Sequence, residues 1–246
     1  MAFQRARTDE QRAQRRRQIL EAAAGMLTEM PVAQLSLNEL SRRVGLAKAN
    51  VLRYFESREA VLLVLLDAEV KDWITALEAT ELPGEGTPRE RGDRLAELLA
   101  VSMSARPVLC DLLSTQAAVL EHNISAEAAI GHKLAARQSI EALVRLVARH
   151  LPELGPDGAV ALVETTLLMA MTAWPCSHPS EAVQAAYASD PALSGMRIDF
   201  IDLLRRTAAV TASGLLPVQG GQPLLQVPQE KRPFVMGVDD RAGPGA

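Results

Sequence analysis

Three polar side chains, Lys48, Asn50 and Arg53, lie close together in a short segment whose apolar spacing predicts a helix. At about 100° of rotation per residue, the three side chains spread over one half of that helix's surface. An arginine can form paired hydrogen bonds with guanine, and an asparagine can form them with adenine. These residue types and their spacing therefore point to a helix that reads bases in the major groove of DNA.

Two short helices and a turn must position these side chains. The first is predicted over residues 37–44, because Ser36 and Glu39 form a capping box at its start and Gly45 can end it in the left-handed conformation. The second is predicted over residues 48–54. The apolar residues spaced to pack against a preceding helix are Leu40, Val44, Leu46 and Val51. This is the pattern of a helix-turn-helix motif, although the spacing alone also fits an incidental pair of packed helices.

Positive charge is concentrated at the start of the chain, whose net charge is −4 over 246 residues. Residues 1–60 hold eleven lysines and arginines against seven aspartates and glutamates. The other residues hold fifteen against twenty-three, so a segment of charge +4 precedes one of charge −8. This asymmetry indicates a polyanionic partner that meets one end of the molecule. A disordered basic tail would have the same charge, but the recurring apolar residues predict a folded segment.

The spacing of apolar residues along the whole chain predicts an all-α protein. Alternating β-branched runs with hairpin turns are absent from the sequence, and only 3% of the residues are aromatic. A first helix is predicted from a capping box of Thr8 and Gln11 up to Pro31, and Ser57 is predicted to cap a helix over residues 58–79. Further helices are predicted over residues 88–104, 107–121, 125–151, 157–174 and 194–213.

Residues 36–59 resemble the DNA-binding signature of the tetracycline-repressor (TetR) family of bacterial transcription regulators. The shared features are the helix-opening Ser36, Gly45 in the turn, Lys48, the aromatic pair Tyr54-Phe55, and Ser57-Arg58-Glu59 at the start of the next helix. The resemblance implies a DNA-binding domain over residues 1–56 and a helical effector-binding and dimerisation domain over residues 57–216. Residues 217–246 are rich in proline and glycine and are predicted to be disordered.

The resemblance also implies which side chains touch DNA. Phosphate contacts are expected from Ser36, Tyr54 and Arg58, and base contacts are expected from Lys48, Ala49, Asn50 and Arg53. Two departures from the family pattern affect this set. Ala47 lacks the oxygen of the usual Ser or Thr cap, which costs about 1 kcal/mol, and Leu52 replaces a tyrosine that commonly contacts DNA. Tyr54 has an alternative role in the core, since a ring can pack while its hydroxyl reaches a phosphate.

A cluster of arginines lies in the first predicted helix, and its members are Arg12, Arg15, Arg16 and Arg17. Such a cluster is either a solvated helix face or an edge that faces phosphates and adds salt-sensitive affinity. We favour the phosphate-facing edge, because Arg5 and Arg7 continue the basic run into a predicted flexible arm.

These features predict a DNA-binding transcriptional regulator and not an enzyme. The resemblance implies a repressor that binds a palindromic operator as a homodimer and is released by an unknown small-molecule effector. The alternatives are a helical enzyme or metal-binding protein, and a DNA-binding protein without an effector. The sequence has no Walker loop, Gly-x-Ser-x-Gly, His-Glu-x-x-His or dinucleotide-binding glycine motif, so no cofactor is expected. His122, His132 and Cys110 lack a recognised metal-ligand spacing.

The composition also bears on location and redox state. No strongly apolar run approaches the roughly 20 residues of a bilayer-spanning helix, and the first residues show no secretory signal. We therefore expect a cytoplasmic protein with no membrane partner. Cys110 and Cys176 are expected to be reduced and packed, since two cysteines are too few for a disulfide framework.

Two charged residues interrupt apolar stripes in the second domain. Arg137 lies in the helix predicted over residues 125–151, and Glu164 lies in the helix predicted over residues 157–174. In one interpretation they form a structural ion pair, or they lie at an edge of the apolar stripe that is exposed to solvent. In the other interpretation they line an effector cavity. The other residues expected in such a cavity are Met103, Cys110, Leu113, Gln116, Met169, Met171 and Trp174. Effector binding is expected to tilt the helix over residues 58–79 and so to change the separation of the two DNA-reading segments.

The dimer interface is expected on the last two long helices. The final helix carries more apolar surface than one packed side requires. The expected interface residues are Leu167, Phe200, Leu203, Leu204 and Thr207. The alternative is that this helix closes the core of a single subunit.

Overall fold

The computed structural model describes the backbone of residues 2–217 and the side chains of residues 10–217. Over this range the chain is all-α, as predicted, and has no strand. The helices are α1 (Ala2–Leu27), α2 (Leu37–Val44), α3 (Lys48–Val51), α4 (Arg58–Glu78), α5 (Pro88–Ser104), α6 (Pro107–Thr115), α7 (Ala126–His150), α8 (Gly155–Ser177), α9 (Glu181–Ser189), α10 (Pro191–Ser194) and α11 (Phe200–Leu215). The predicted disordered tail, apart from Pro217, lies outside the described residues.

Helix α1 begins earlier than the sequence predicts. The expected start at Thr8 is wrong, because the backbone is already helical from Ala2. Residues 2–7 include alanine, glutamine and arginine, which are good helix formers and can continue the helix without a cap at Thr8. The backbone around Arg5 and Arg7, which was predicted to be a flexible arm, is therefore helical, while the side chains of these residues lie outside the described part of the structure.

Helix α2 forms over the residues that the sequence predicts. The hydroxyl oxygen of Ser36 accepts a 3.1 Å hydrogen bond from the backbone N–H of Glu39. Gly45 ends the helix with a φ of 69°, in the left-handed region where glycine carries no steric penalty. These two residues therefore define both ends of α2 through local interactions.

Helix α3 is shorter than predicted, because it ends at Val51 and not at Tyr54. Residues 52–54 continue as tight turns, in which the N–H of Tyr54 donates a 2.9 Å hydrogen bond to the carbonyl of Val51. Phe55, directly after these turns, is buried in the core. The tighter winding therefore accompanies the entry of the chain into the hydrophobic core.

Helix α4 connects the head, which comprises α1 to α3, to the body, which comprises α5 to α11. Its first turn is capped by Ser57, whose hydroxyl oxygen accepts a 3.0 Å hydrogen bond from the N–H of Ala60. Val61 is fully buried, and further along the helix the indole N–H of Trp73 donates a 3.0 Å hydrogen bond to a side chain of α5. Helix α4 thus contributes residues to the hydrophobic core of the head and to that of the body.

The body is built around α8 and α11. Helix α11 packs against α5 and α8, and α8 also packs against α6 and α7. By length and apolar composition the stretch Pro152–Ser177 would suffice to cross a membrane. Within the body, however, its residues Val160, Leu162 and Trp174 are buried. The same apolar composition is therefore explained by the packing of a central helix against its neighbours.

The segment between α8 and α11 differs from the prediction. Helices α9 and α10 were not predicted, and α11 begins at Phe200 and not at residue 194. Asp199 sets this start, because its carboxylate accepts a 2.7 Å hydrogen bond from the N–H of Asp202. Helix α6 also ends early, at Thr115, and the chain continues there as the π-helical turn Gln116–Leu120.

Both cysteines are free, but they have different environments. Cys110 is buried, and burial raises the pKa of its thiol to about 12. Cys176 is exposed, so the prediction that both are packed is wrong for this residue. The reason is its place on the outward side of α8, two turns after the exposed Leu168.

Candidate nucleic-acid interface

The side chains expected to read bases lie together on the outer surface of the head. Helix α3 buries Val51 in the core and leaves Lys48, Ala49 and Asn50 in solvent. Arg53 follows in the next turn and is also exposed. Neither Lys48 nor Arg53 forms an ion pair with any residue whose side chain the structure describes. Their charged groups are therefore accessible to an external anion.

An open cleft of about 830 Å³ separates this surface from the middle of α1. We call it the basic cleft, and its lining residues are Gln11, Arg12, Gln14, Arg15, Gln18, Arg53 and Tyr54. Among the residues whose side chains are described, its walls contain three arginines and no carboxylate, and the remaining groups are amides and a phenol. Such a surface attracts the phosphates of a polyanion and offers them neutral hydrogen-bond donors.

The four clustered arginines of α1 have different roles. Arg16 faces inward: it donates a 2.5 Å hydrogen bond to the backbone carbonyl of Tyr54, and its guanidinium lies 4.1 Å from the centre of the Phe55 ring. Burial, assisted by the positive charge of Arg12, lowers the pKa of Arg16 from its ordinary value. Arg16 therefore holds α1 against the end of the helix-turn-helix. Arg12 and Arg15 line the basic cleft, and Arg17 is exposed outside it.

The contacts of Arg58 do not support the expected phosphate contact. Its guanidinium donates hydrogen bonds to the backbone carbonyls of Val32 and Leu35 and a 3.0 Å hydrogen bond to the carboxylate of Glu59. The side chain is half-buried between the start of α4 and the loop before α2. These contacts indicate a structural role, because the same donors stabilise the loop that precedes the helix-turn-helix.

Ser36 and Tyr54 retain groups that could meet a phosphate. Ser36 is exposed, and because its oxygen only accepts a bond from the helix, its O–H remains a donor. The ring of Tyr54 packs against the core, and the residue also lines the basic cleft. Tyr54 thus packs its ring against the core and also lies at the surface of the cleft, and the sequence had left both positions open. Leu52, in the position of a commonly DNA-contacting tyrosine, is 40% exposed.

Two hydrogen bonds tie the head to the body. The N–H of Val32 donates a 2.6 Å hydrogen bond to the carboxylate of Asp111 in α6. The carboxylate of Glu56 accepts a 2.6 Å hydrogen bond from the N–H of Ser125, the N-cap residue of α7. This bond lowers the pKa of Glu56, and the positive end of the long helix α7 favours the same ionised form. Both body helices are therefore linked directly to the head.

A second cleft, of about 380 Å³, lies where the head, α4 and α7 meet. His132 and Asp67 both line this cleft. His132 is 5% exposed, with Nδ1 at 2.7 Å from the carboxylate of Asp67 and Nε2 at 3.0 Å from the amide nitrogen of Gln116. A neutral ring that donates from Nδ1 and accepts at Nε2 satisfies both contacts. His132 is thus accounted for as a link between α7 and α4. No group of three possible metal ligands occurs among the described residues.

Neither cleft is lined by any of the nine residues expected to form an effector cavity. Met103, Cys110 and Leu113 are packed in the core. Arg137 pairs at 2.9 Å with Glu141, one turn away on the same half-exposed helix surface, and not with Glu164. One carboxylate oxygen of Glu164 is buried without a partner among the described residues, and burial raises the pKa of this residue.

The outward faces of α8 and α11 differ in part from the expected dimer interface. Leu204 is fully buried and Phe200 nearly so, because the inner stripe of α11 packs between α5 and α8. These two residues close the core of a single subunit, which was the alternative to a dimer interface for this helix. The half-buried residues on the other side are Leu167, Leu203 and Thr207. Beside them, Leu168 and Val210 are 64% and 65% exposed. Val210 belongs to the apolar surface expected on the final helix, whereas Leu168 was not predicted.

Comparison with known proteins accounts for both parts of the chain. Residues 19–65 match the tetR family of bacterial regulatory proteins, and residues 67–219 match the tetracyclin repressor-like C-terminal domain. The HTH-type transcriptional regulators EthR of Mycobacterium tuberculosis and Mycobacterium bovis are 36% identical over 72 residues. This stretch is 29% of the present chain and only 33% of each relative.

A solved structure shares the fold over most of the chain. It is that of a TetR transcriptional regulator from Rhodococcus sp. RHA1, with a TM-score of 0.50 and 18% sequence identity. The similarity covers 82% of the present chain and 97% of the Rhodococcus chain. At this identity the similarity concerns the fold alone.

Proposed function

Since the chain belongs to the tetracycline-repressor family of bacterial regulatory proteins, we propose that it represses transcription by binding a palindromic operator as a homodimer. A small molecule that binds the body releases it. The observation that carries the DNA-binding part is the exposed surface of Lys48, Ala49, Asn50 and Arg53 beside the basic cleft. Residues 1–56 thus form the DNA-binding domain, and residues 57–216 bind the effector and the second subunit.

The two kinds of side chain on the head have different tasks in this proposal. Lys48, Asn50 and Arg53 enter the major groove, where an arginine selects guanine and an asparagine selects adenine. Ser36, Tyr54 and the arginines of the basic cleft bind phosphates, which positions the head without reading sequence. Arg58 contributes indirectly, by fixing the loop before α2.

A homodimer is proposed because one short recognition helix reads too few base pairs to select a site. The outward faces of α8 and α11 are suited to form the interface. They carry the exposed Leu168 and Val210, with the half-buried Leu167, Leu203 and Thr207 beside them. Apolar side chains on two neighbouring long helices are typical of a face that a second copy covers.

Release by an effector requires that binding in the body moves the heads. Successive major grooves on one side of DNA are about 34 Å apart, so a small change in head separation weakens binding. The bonds from Asp111 to Val32 and from Glu56 to Ser125 connect the head to α6 and α7. An effector that favours another arrangement of these helices shifts the population away from the DNA-binding form. Glu164 is proposed as an effector contact, because its buried oxygen is unpaired among the described side chains.

The test of the DNA-binding proposal begins with genomic footprinting to find the bound sites. Affinity for the best site and for a scrambled duplex is then measured at several salt concentrations. We expect a preference of about a thousandfold or more for the site, and affinities that fall with salt. Asn50→Ala and Arg53→Ala should each cost about 1 to 3 kcal/mol of discrimination at one base position. Equal, salt-independent affinity for both duplexes would contradict the proposal.

A further inference from the structure

Leu52 is an exposed leucine on the surface that carries the proposed base-reading side chains. Its backbone is still helical, with φ −64° and ψ −14°, and its N–H donates a 3.0 Å hydrogen bond to the carbonyl of Lys48. The winding of α3 thus continues through Leu52. Because residues three and four apart on a helix are neighbours on its surface, Leu52 lies beside Ala49 and Lys48. The leucine side chain is 40% exposed, whereas the adjacent Val51 is fully buried.

The fold of the head gives no reason for an apolar side chain at this position. Among the described side chains of the head, every other leucine, isoleucine, valine, methionine and phenylalanine is buried or half-buried. Leu52 belongs neither to the hydrophobic core nor to the half-buried residues that pack against it. Substitutions at such surface positions usually change stability little. The function of Leu52 must therefore be sought in what this surface binds.

The neighbours of Leu52 would carry it into the major groove. Lys48, Asn50 and Arg53 are exposed around it, and their side chains offer hydrogen-bond donors to base edges and phosphates. Leucine has no group that can bind a phosphate or a polar base edge, so in the groove it gains only from an apolar contact that releases water. Among the groups that base pairs present in the major groove, the C5 methyl group of thymine is the apolar one.

We infer that Leu52 contacts the methyl group of a thymine in each half of the operator and so selects a T·A base pair there. This inference rests on the proposed function, because it requires that α3 enters the major groove. It adds an apolar contact to the polar base contacts of Asn50 and Arg53. Ala49, next to Leu52, has a side chain of one methyl group, which leaves room for a base edge to approach. Burial of one methyl group changes affinity by about fourfold, so two half-sites together give about tenfold.

Uracil-containing DNA tests this inference, because deoxyuridine pairs as thymidine does but lacks the methyl group. In duplexes of the best footprinted site, each thymine is replaced by uracil together with its symmetry mate, and affinity is measured by fluorescence anisotropy. At one thymine position we expect uracil to weaken binding of the native protein about tenfold. Leu52→Ala should bind the thymine and uracil duplexes of that position equally, since the partner of the methyl group is gone. Leu52→Gln, which replaces the apolar end of the side chain by an amide, should do the same.

A matched control is available in Val119, which is also 40% exposed but lies in the body. Val119→Ala should respond to uracil as the native protein does. Thermal melting of each variant confirms that it is folded at the temperature of the binding assay.

The outcomes separate the thymine contact from DNA binding itself. Uracil without effect at every thymine would overturn the inference, and so would a best site without thymine in either half. A uracil effect that persists undiminished in both Leu52 variants would also overturn it, since another side chain would then contact the methyl group. In all three cases specific binding and the proposed function would stand. A native protein that binds its best site no better than a scrambled duplex would instead refute the proposed function, and the inference with it.

Discussion

The backbone N–H of Val32 donates a 2.6 Å hydrogen bond to the carboxylate of Asp111, which lies 79 residues later in α6. Val32 belongs to the short turn that precedes the helix-turn-helix, and the side chain of Arg58 binds the carbonyl of the same residue. The loop before the DNA-reading helices is therefore held from both sides, by α4 and by the body.

Removing the Asp111 carboxylate should loosen the head from the body. Asp111→Ala leaves the N–H of Val32 without its charged acceptor, and the free energy of unfolding should fall by about 1.5 to 3 kcal/mol. Asp111→Asn keeps an oxygen that can accept the bond, so it should lose less. Urea denaturation followed by circular dichroism measures both values. Equal losses in the two variants would mean that this hydrogen bond is not the cause.

The basic cleft predicts a different effect for two neighbouring arginines of α1. Arg15 lines the cleft, whereas Arg17 is exposed outside it. Arg15→Ala should weaken binding to all DNA sequences alike and reduce the slope of log Kd against log salt by about 1, since one phosphate contact is lost. Arg17→Ala removes the same charge and serves as the control. Fluorescence anisotropy over a salt series gives the slopes, and identical slopes for both variants would exclude a specific role of the cleft.

Arg58→Ala should act on stability and not directly on DNA. The substitution removes the donors that bind the carbonyls of Val32 and Leu35, and we expect a loss of about 2 kcal/mol in the free energy of unfolding. At a temperature where the variant is fully folded, the salt slope of DNA binding should equal that of the native protein. A slope reduced by about 1 without loss of stability would instead establish a phosphate contact.

Two residues of α11 should respond in opposite ways to substitution. Leu204 is fully buried in the subunit, so Leu204→Ala should lower the free energy of unfolding by about 2 to 5 kcal/mol. Val210 faces solvent, so Val210→Glu should leave the fold of the subunit intact and abolish both the dimer and operator binding. Sedimentation and denaturation measured on the same samples separate the two effects. A stable dimer of Val210→Glu would place the interface elsewhere.

Glu164 should make the stability of the protein depend on pH. Burial raises the pKa of this residue in the folded state above its unfolded value. The penalty is therefore absent below the unfolded pKa, grows as the pH rises from the unfolded pKa to the folded pKa, and is complete above the folded pKa. Glu164→Gln carries no charge at any pH, so its stability relative to the native protein should increase over this range. Thermal melting between about pH 4 and 8 measures the difference. Glu81→Gln, at an exposed site in the loop after α4, is the matched control. A stability difference between Glu164→Gln and the native protein that does not vary with pH would contradict the assignment.

Local signals in the sequence were sufficient for the helix-turn-helix. Ser36 and Gly45 set the ends of α2 through contacts with residues within one turn, so the sequence alone locates them. Val51 is buried and its polar neighbours are exposed because helical periodicity separates them on opposite sides. The all-α architecture and the family resemblance were also predicted from short-range patterns. The structure confirms the architecture, and the family matches confirm the resemblance.

The burial and the partners of other side chains depend on which helices pack together, and the sequence alone does not determine this packing. Leu204 and Val210 are both apolar residues of α11, but only the packing of this helix between α5 and α8 decides that one is core and the other is surface. Arg58 looks like a free cation in the sequence, and its carbonyl acceptors lie more than 20 residues away. Arg137 pairs with Glu141 on its own helix, so an ion pair with Glu164, one of the alternatives that the sequence left open, does not form among the described residues. Spacing along a helix therefore determines which side chains share a face, whereas the contacts between distant elements determine what each face touches.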